Sequence, residues 1–188
     1  MPTTPGAALK RLERAWRGLW IRVLTRLMRR GAAAPAAPDW RARPHRVLFL
    51  RHDRIGDMIL STGLLRVITE SRSTIALDVL ASPTNAPVVR ADPHVRSVIV
   101  FDRANPWRYP TLVRRLRRAR YDAVIDCMPV ARSLTTLLLM LASGARHRIG
   151  VAGRGVDAAL TGMVSAAAVD ARMNWRRFIC GFSAIPLR

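Results

Sequence analysis

Between Arg46 and Arg66 the chain reads RVLFLRHDRIGDMILSTGLLR, and its hydrophobic pattern changes character midway. Val47 to Leu50 form a continuous apolar run, which suits a strand covered on both faces in a parallel sheet. Arg51 to Gly56 make a polar turn, and from Asp57 onward Met58, Ile59, Leu60, Leu64, Leu65, Val67 and Ile68 predict a helix packed on that sheet. The alternation continues downstream. Thr74–Leu80 and Val95–Phe101 predict the second and third strands, and between them Ala86–Val89 predicts a short helix that Asp92-Pro93 stops. Trp107–Arg120 predicts a basic helix, Tyr121–Asp126 the fourth strand, Ala131–Ala142 an apolar helix and Arg146–Val151 the fifth strand. Strands alternating with helices across short loops predict an α/β fold, a Rossmann-like parallel sheet built by right-handed crossovers. From Ala152 the pattern weakens: Gly153-Arg154-Gly155 reads as loop, Val156–Val169 is alanine-rich, and Asp170–Arg188 reads as a helix and an irregular tail.

Upstream of the domain, residues 7–30 predict a basic amphipathic helix. Leu9, Leu12, Trp16, Leu19, Trp20, Val23 and Leu27 recur at helical spacing, with Lys10, Arg11, Arg14, Arg22 and Arg29 on the opposite side. Charges interrupt it too often for a transmembrane span or a secretory signal. Tryptophan and leucine opposite arginine suit a helix lying in an anionic membrane interface. They equally suit a basic helix packed on the rest of the protein, and pattern alone leaves both open. Gly31 to Pro44, GAAAPAAPDWRARP, is an Ala/Pro linker. The predicted organisation is therefore a helical segment over 1–30, a linker over 31–45 and one folded domain over 46–180.

Composition sharpens this picture at one point. The net charge is +20, from thirty-one arginines and a single lysine. Residues 1–46 hold eleven basic and two acidic side chains, so +9 of that charge precedes the domain. Arginine binds phosphate and carboxylate in bidentate fashion, which admits nucleic acid, anionic lipid or a phosphorylated sugar as partner. An excess of arginine and alanine over lysine is also what a GC-rich genome imposes on ordinary surface positions. Cys127 and Cys180 form no framework or zinc pattern, which fits a reducing cytoplasm, and the four histidines show no metal-ligand spacing.

Candidate chemistry narrows by elimination. Gly56 is the only glycine between Arg46 and Thr62, so neither a dinucleotide fingerprint nor a P-loop follows the first strand. A G-x-S-x-G elbow is absent as well. What stands at the strand end is Asp57 beside the cations Arg51, His52 and Arg54. In open α/β sheets that position is where ligands bind. Asp57 can cap the helix, where a carboxylate meets the positive end of the dipole. It can also act as a general base toward a hydroxyl held within hydrogen-bond reach.

The combination of RVLFLRHDRIGDMILSTGLLR with LDVLASPTNAPVVRADPHVRSVIVFDR, YDAVIDC and HRIGV resembles the amino-terminal half of glycosyltransferase family 9, the ADP-heptose:lipopolysaccharide heptosyltransferases. The resemblance runs from about Arg46 to Val151. It implies the amino-terminal domain of a GT-B glycosyltransferase, an architecture of two Rossmann-like domains across a cleft, one for a lipid-linked acceptor and one for the nucleotide sugar. On that resemblance Asp57 is the general base, removing the proton of an acceptor hydroxyl that attacks the donor's anomeric carbon with inversion and expels ADP. No cofactor or metal is implied beyond the donor substrate, ADP-heptose or a similar nucleotide sugar. Arg51 and Gly56 fall in the substrate-binding turn, Arg51 holding anionic sugars of the acceptor. Arg54 and Arg132 join them by location and charge. Where a glutamine-glycine pair commonly follows the fourth strand of the family, this chain has Cys127-Met128-Pro129.

The family's donor-binding domain would begin after about residue 180 and is absent from these residues. The expectation is that the chain alone transfers no sugar, with a donor-binding domain in another chain as a possible partner. The expected partners are thus an anionic, lipid-linked saccharide acceptor, as in lipopolysaccharide core biosynthesis, and an anionic membrane surface bound through residues 7–30. The expected location is cytoplasmic, peripheral at the inner face of the cytoplasmic membrane. The alternative is a non-catalytic basic module for anionic membrane or nucleic acid. No helix-turn-helix, RNP or zinc pattern supports specific nucleic-acid binding.

Overall fold

Leu48, Phe49 and Leu50 are fully buried, because the strand that carries them is covered on both faces. The computed structural model describes residues 15–16, 18–27, 44–71, 74–126, 134–151 and 157–164. Strand β1 (His45–Arg51) lies at the centre, parallel to β2 (Ile75–Ala81) on one side and to β4 (Ala123–Asp126) on the other. With β3 (Ser97–Val100), β5 (His147–Val151) and β6 (Gly162–Val164) they form one parallel sheet in the order β3-β2-β1-β4-β5-β6. The α/β, Rossmann-like expectation is met.

Successive side chains of a strand point to opposite faces, so an unbroken apolar run has to be answered by helices on both sides. Val47 and Phe49 meet Met58, Leu64, Leu65 and Ile68 of α2 (Ile55–Ser71), together with Ala86 and Val89 of α3 (Ala86–Val89). Leu48 and Leu50 join the opposite cluster, with Leu116 of α4 (Tyr109–Ala119) and Leu137, Leu139 and Met140 of α5 (Leu134–Ser143). Helix α5 stops at Gly144, whose φ of +67° is a left-handed conformation that glycine adopts without a Cβ penalty.

Two elements depart from the pattern-based expectation. β6 falls inside the alanine-rich stretch, where three residues gave no strand signal; Ile149 of β5 pairs with Gly162. The amino-terminal helix, α1 (18–27, with 15–16 also helical), packs on the domain through Ile21, which enters the cluster with Leu48 and Leu50, and its Leu24 is buried as well. The tryptophan-leucine stripe is not the packing face, since Trp16, Leu19, Trp20, Val23 and Leu27 are exposed. No helix among the described residues is long and apolar enough to cross a membrane. The readings for residues 7–14, for the linker over 31–43, for Cys127-Met128-Pro129 and Arg132, and for 165–188 lie outside the described residues.

A carboxylate is buried in the sheet as well. Asp78, in the middle of β2, is buried, and both of its oxygens are satisfied: Arg96 Nε donates to Oδ1 at 2.9 Å, while Arg96 Nη2 and the Tyr121 hydroxyl donate to Oδ2. Burial, and then the hydrogen bond to Asp78, push the Tyr121 hydroxyl well above its ordinary pKa. The folded state therefore holds this proton more tightly than the unfolded chain does. That contribution to stability is complete below the ordinary tyrosine pKa of about 10 and is lost as pH rises above it. Tyr121→Phe should cost about 1.5–3 kcal/mol near neutrality, the value of a hydrogen bond to a charged group. Urea unfolding of both proteins at several pH values checks this. The variant should lose the part of the decline above pH 10 that this proton causes, so the gap between the two proteins narrows there.

Candidate active site at the end of the first strand

The chain leaves β1 toward β2 by way of α2 on one face, whereas the strand on the other side of β1 is β4, which follows α4 on the opposite face. Such a reversal opens a crevice beyond the carboxyl ends of the two central strands. Arg51 ends β1 there, and Asp57 lies in the first turn of α2. The helix opens when the Met58 N–H donates to the Arg54 carbonyl at 3.2 Å.

Arg51 is only 4% exposed, and its guanidinium stands between two carboxylates, with Nε 3.4 Å from Asp53 Oδ1 and Nη2 3.6 Å from Asp57 Oδ1. Both separations are ion pairs longer than a hydrogen bond. Asp57 is thus engaged by a side chain at the strand end as well as sitting favourably at a helix amino terminus. The Asp53 carboxyl is pushed up, first by burial and further by the neighbouring Asp57, against the opposing pull of Arg51. Arg54 and Gly56 are exposed on the same turn. A Cβ added at Gly56 would meet no atom within 4 Å. Arg132 lies outside the described residues.

His52 is corrected by the structure. Counted among the cations by sequence, it is buried against Phe101, ring centroids 5.4 Å apart. Burial, and then the positive charges of Arg103 and Arg51, push its ring down from 6.5 to about 4, so it is neutral at pH 7. Neither ring nitrogen has a hydrogen-bond partner among the described residues.

Asn85 is a further residue that sequence reasoning passed over. It is fully buried, and its Nδ2 donates to the Arg51 carbonyl at 3.0 Å. Its Oδ1 accepts from the Ser82 N–H at 2.7 Å, so the loop after β2 braces the end of β1. The ASPTNAPVV segment carried the signal without its reason. Among the described residues no three His, Cys, Asp or Glu side chains gather as a possible metal-ligand set.

The same arrangement of sheet and helices occurs in solved enzymes. The E. coli ADP-heptose LPS heptosyltransferase II superposes with a TM-score of 0.54 at 25% identity, over 65% of this chain and 36% of its own. This chain is similar to the glycosyltransferase family 9 heptosyltransferases. A glycosyltransferase family 9 protein from Veillonella parvula superposes with a TM-score of 0.63 at 17% identity, over 78% of this chain and 43% of its own. E. coli heptosyltransferase WaaC, solved with ADP, gives 0.56 at 16% identity over 73% and 47%. The chain therefore spans less than half the length of these solved structures. No family model matches the sequence, and no curated protein matches it.

The buried imidazole gives a test of the site's electrostatics. A histidine whose folded pKa is depressed contributes stability that is complete above about pH 6.5 and is lost as pH falls toward 4, because the unfolded chain takes up the proton first. His52→Phe, which keeps a ring against Phe101, should remove up to about 3 kcal/mol of the acid-side decline. Chemical denaturation at pH 7 and pH 4.5 reads the difference. An unchanged acid limb would mean that His52 is not held neutral.

Proposed function

We propose that this chain is the acceptor-binding half of a heptosyltransferase-like glycosyltransferase, with Asp57 as the general base. The observation that carries the reading is the placement of Asp57, in the first turn of α2, beyond the end of the central strand and 3.6 Å from the Arg51 guanidinium. In the proposed step Asp57 takes the proton of an acceptor hydroxyl as that oxygen forms a bond to the donor's anomeric carbon. The bond from that carbon to the nucleotide's phosphate breaks with inversion, and the nucleoside diphosphate leaves with the electron pair. The donor is ADP-heptose or a similar nucleotide sugar, bound by a second domain. The acceptor is an anionic lipid-linked saccharide of the lipopolysaccharide-core type. Arg51 fixes Asp57 and contributes positive charge, and exposed Arg54 faces the acceptor's anionic groups. Arg132 is assigned the same role on charge and chain position. Similarity to heptosyltransferases, one of them at 25% identity, supports this reading.

Gly56 adds a separate argument. Its φ is not left-handed, and a side chain there would meet open space, so the fold itself does not require glycine. Within a helix, glycine costs about 0.5–1 kcal/mol relative to alanine. A bare backbone at this position leaves room for a ligand to approach the turn.

Two outcomes follow. Asp57→Asn should lower turnover by about 10²–10⁴ when a donor-binding domain and nucleotide sugar are supplied, with acceptor affinity little changed. Unchanged turnover would return Asp57 to a purely helix-capping role. Gly56→Ala should leave the thermal midpoint equal or higher while weakening acceptor binding by about tenfold, or 1.4 kcal/mol. Undiminished affinity in calorimetry would remove Gly56 from the acceptor site.

A further inference from the structure

Helix α1 has three differently furnished sides. With 3.6 residues per turn, Ile21 and Leu24 fall on one side; both are buried, and Ile21 joins the domain's core cluster. Leu19, Val23, Trp16, Leu27 and Trp20 fall on a second, an arc of roughly 100°. Arg22 and Arg26 fall on the third, and both are exposed.

The second side is apolar and open, with Trp16 59%, Leu19 52% and Leu27 54% exposed. Trp16 and Trp20 stand edge to face at 5.7 Å, so the two indoles form one ridge. A contiguous exposed patch of this kind marks an interaction surface, in contrast to scattered single apolar residues. Because the fold consumes a different side of the same helix, packing on this domain does not account for the tryptophans.

We propose that this outward face of α1 docks on an anionic lipid bilayer. Charge selects the occupant. Residues 7–30 carry eight basic side chains and one acidic one, so a second copy of this chain would bring like charge to the face. An anionic headgroup layer brings opposite charge over an apolar interior. Indole rings settle at the boundary between the two, with an apolar body and a polar N–H. Arg26 adjoins Leu19 on the wheel, which puts a guanidinium beside the edge of the apolar arc. The helix lies along the surface: its Ile21 side holds the domain, its tryptophan side enters the headgroup boundary, and its arginines pair with lipid phosphates. The inference uses no residue of the strand-end site and stands independently of the transferase reading.

The test is co-sedimentation of the full 188-residue chain with vesicles of phosphatidylglycerol and phosphatidylcholine, and with phosphatidylcholine alone. Binding should be at least about tenfold stronger to the anionic vesicles and should weaken with added salt. The exposed-face variant Trp16→Ser with Trp20→Ser should lose about tenfold or more, whereas Trp16→Phe with Trp20→Phe should retain most of the affinity. Arg22→Gln with Arg26→Gln should also lose about tenfold on anionic vesicles. Equal vesicle binding by the double serine variant would overturn the proposal. So would a wild-type dimer that the serine variant converts to monomer without either protein binding vesicles, which would assign the face to a second copy. Tighter binding to RNA than to vesicles, indifferent to both tryptophans, would overturn it as well.

Discussion

A guanidinium that is 4% exposed ends the central strand, and its charge has to be answered inside the fold. Removing an ion from water costs several kcal/mol unless oppositely charged groups and hydrogen bonds replace the solvent. Asp53 and Asp57 supply that compensation from the turn that follows, and the constraint passes from them to their surroundings. Asp57 belongs to the first turn of α2, so holding its carboxylate near Arg51 also fixes how the helix enters the sheet. The Arg51 carbonyl is gripped by Asn85, which ties the loop after β2 to the same point. Strand, turn, helix and neighbouring loop thus converge on one residue.

The fold was legible in the sequence wherever burial is two-sided. Val47 to Leu50 are all apolar because alternate members face α2 on one side and α4 with α5 on the other, and no amphipathic strand would show that run. The motif around Gly56-Asp57 was legible too, because the turn and helix start are local. What escaped was decided by residues distant in the chain. His52 is neutral because Phe101 and Arg103, some fifty positions away, come to it in space. Asp78 reads as one polar letter in an apolar strand until Arg96 and Tyr121 close on it. β6 is too short to carry a period. For α1, both Ile21 with Leu24 and the tryptophan stripe are apolar at helical spacing, and only the packed domain distinguishes them.

The strand-end site and helix α1 are built on different physics. At the strand end, charge is buried and compensated, and the polar groups sit where the sheet's topology opens a crevice. On α1, apolar surface is left open beside exposed arginines. The similarity to family 9 structures, at 16–25% identity, rests on the sheet and its helices. The two proposed roles are complementary: a strand-end site for a hydroxyl of an anionic saccharide, and a helix face for the surface in which the lipid of such an acceptor would reside.

The central claim is that the Arg51–Asp57 turn receives an anionic saccharide, and amide chemical-shift mapping of the isotopically labelled chain tests it most directly. Titration with an anionic lipid-A-type acceptor should move the backbone signals of residues 51–57 and 82–85 together, along one binding curve. Saturable binding that leaves those amides in place and shifts only signals elsewhere, such as those of α1, would contradict it.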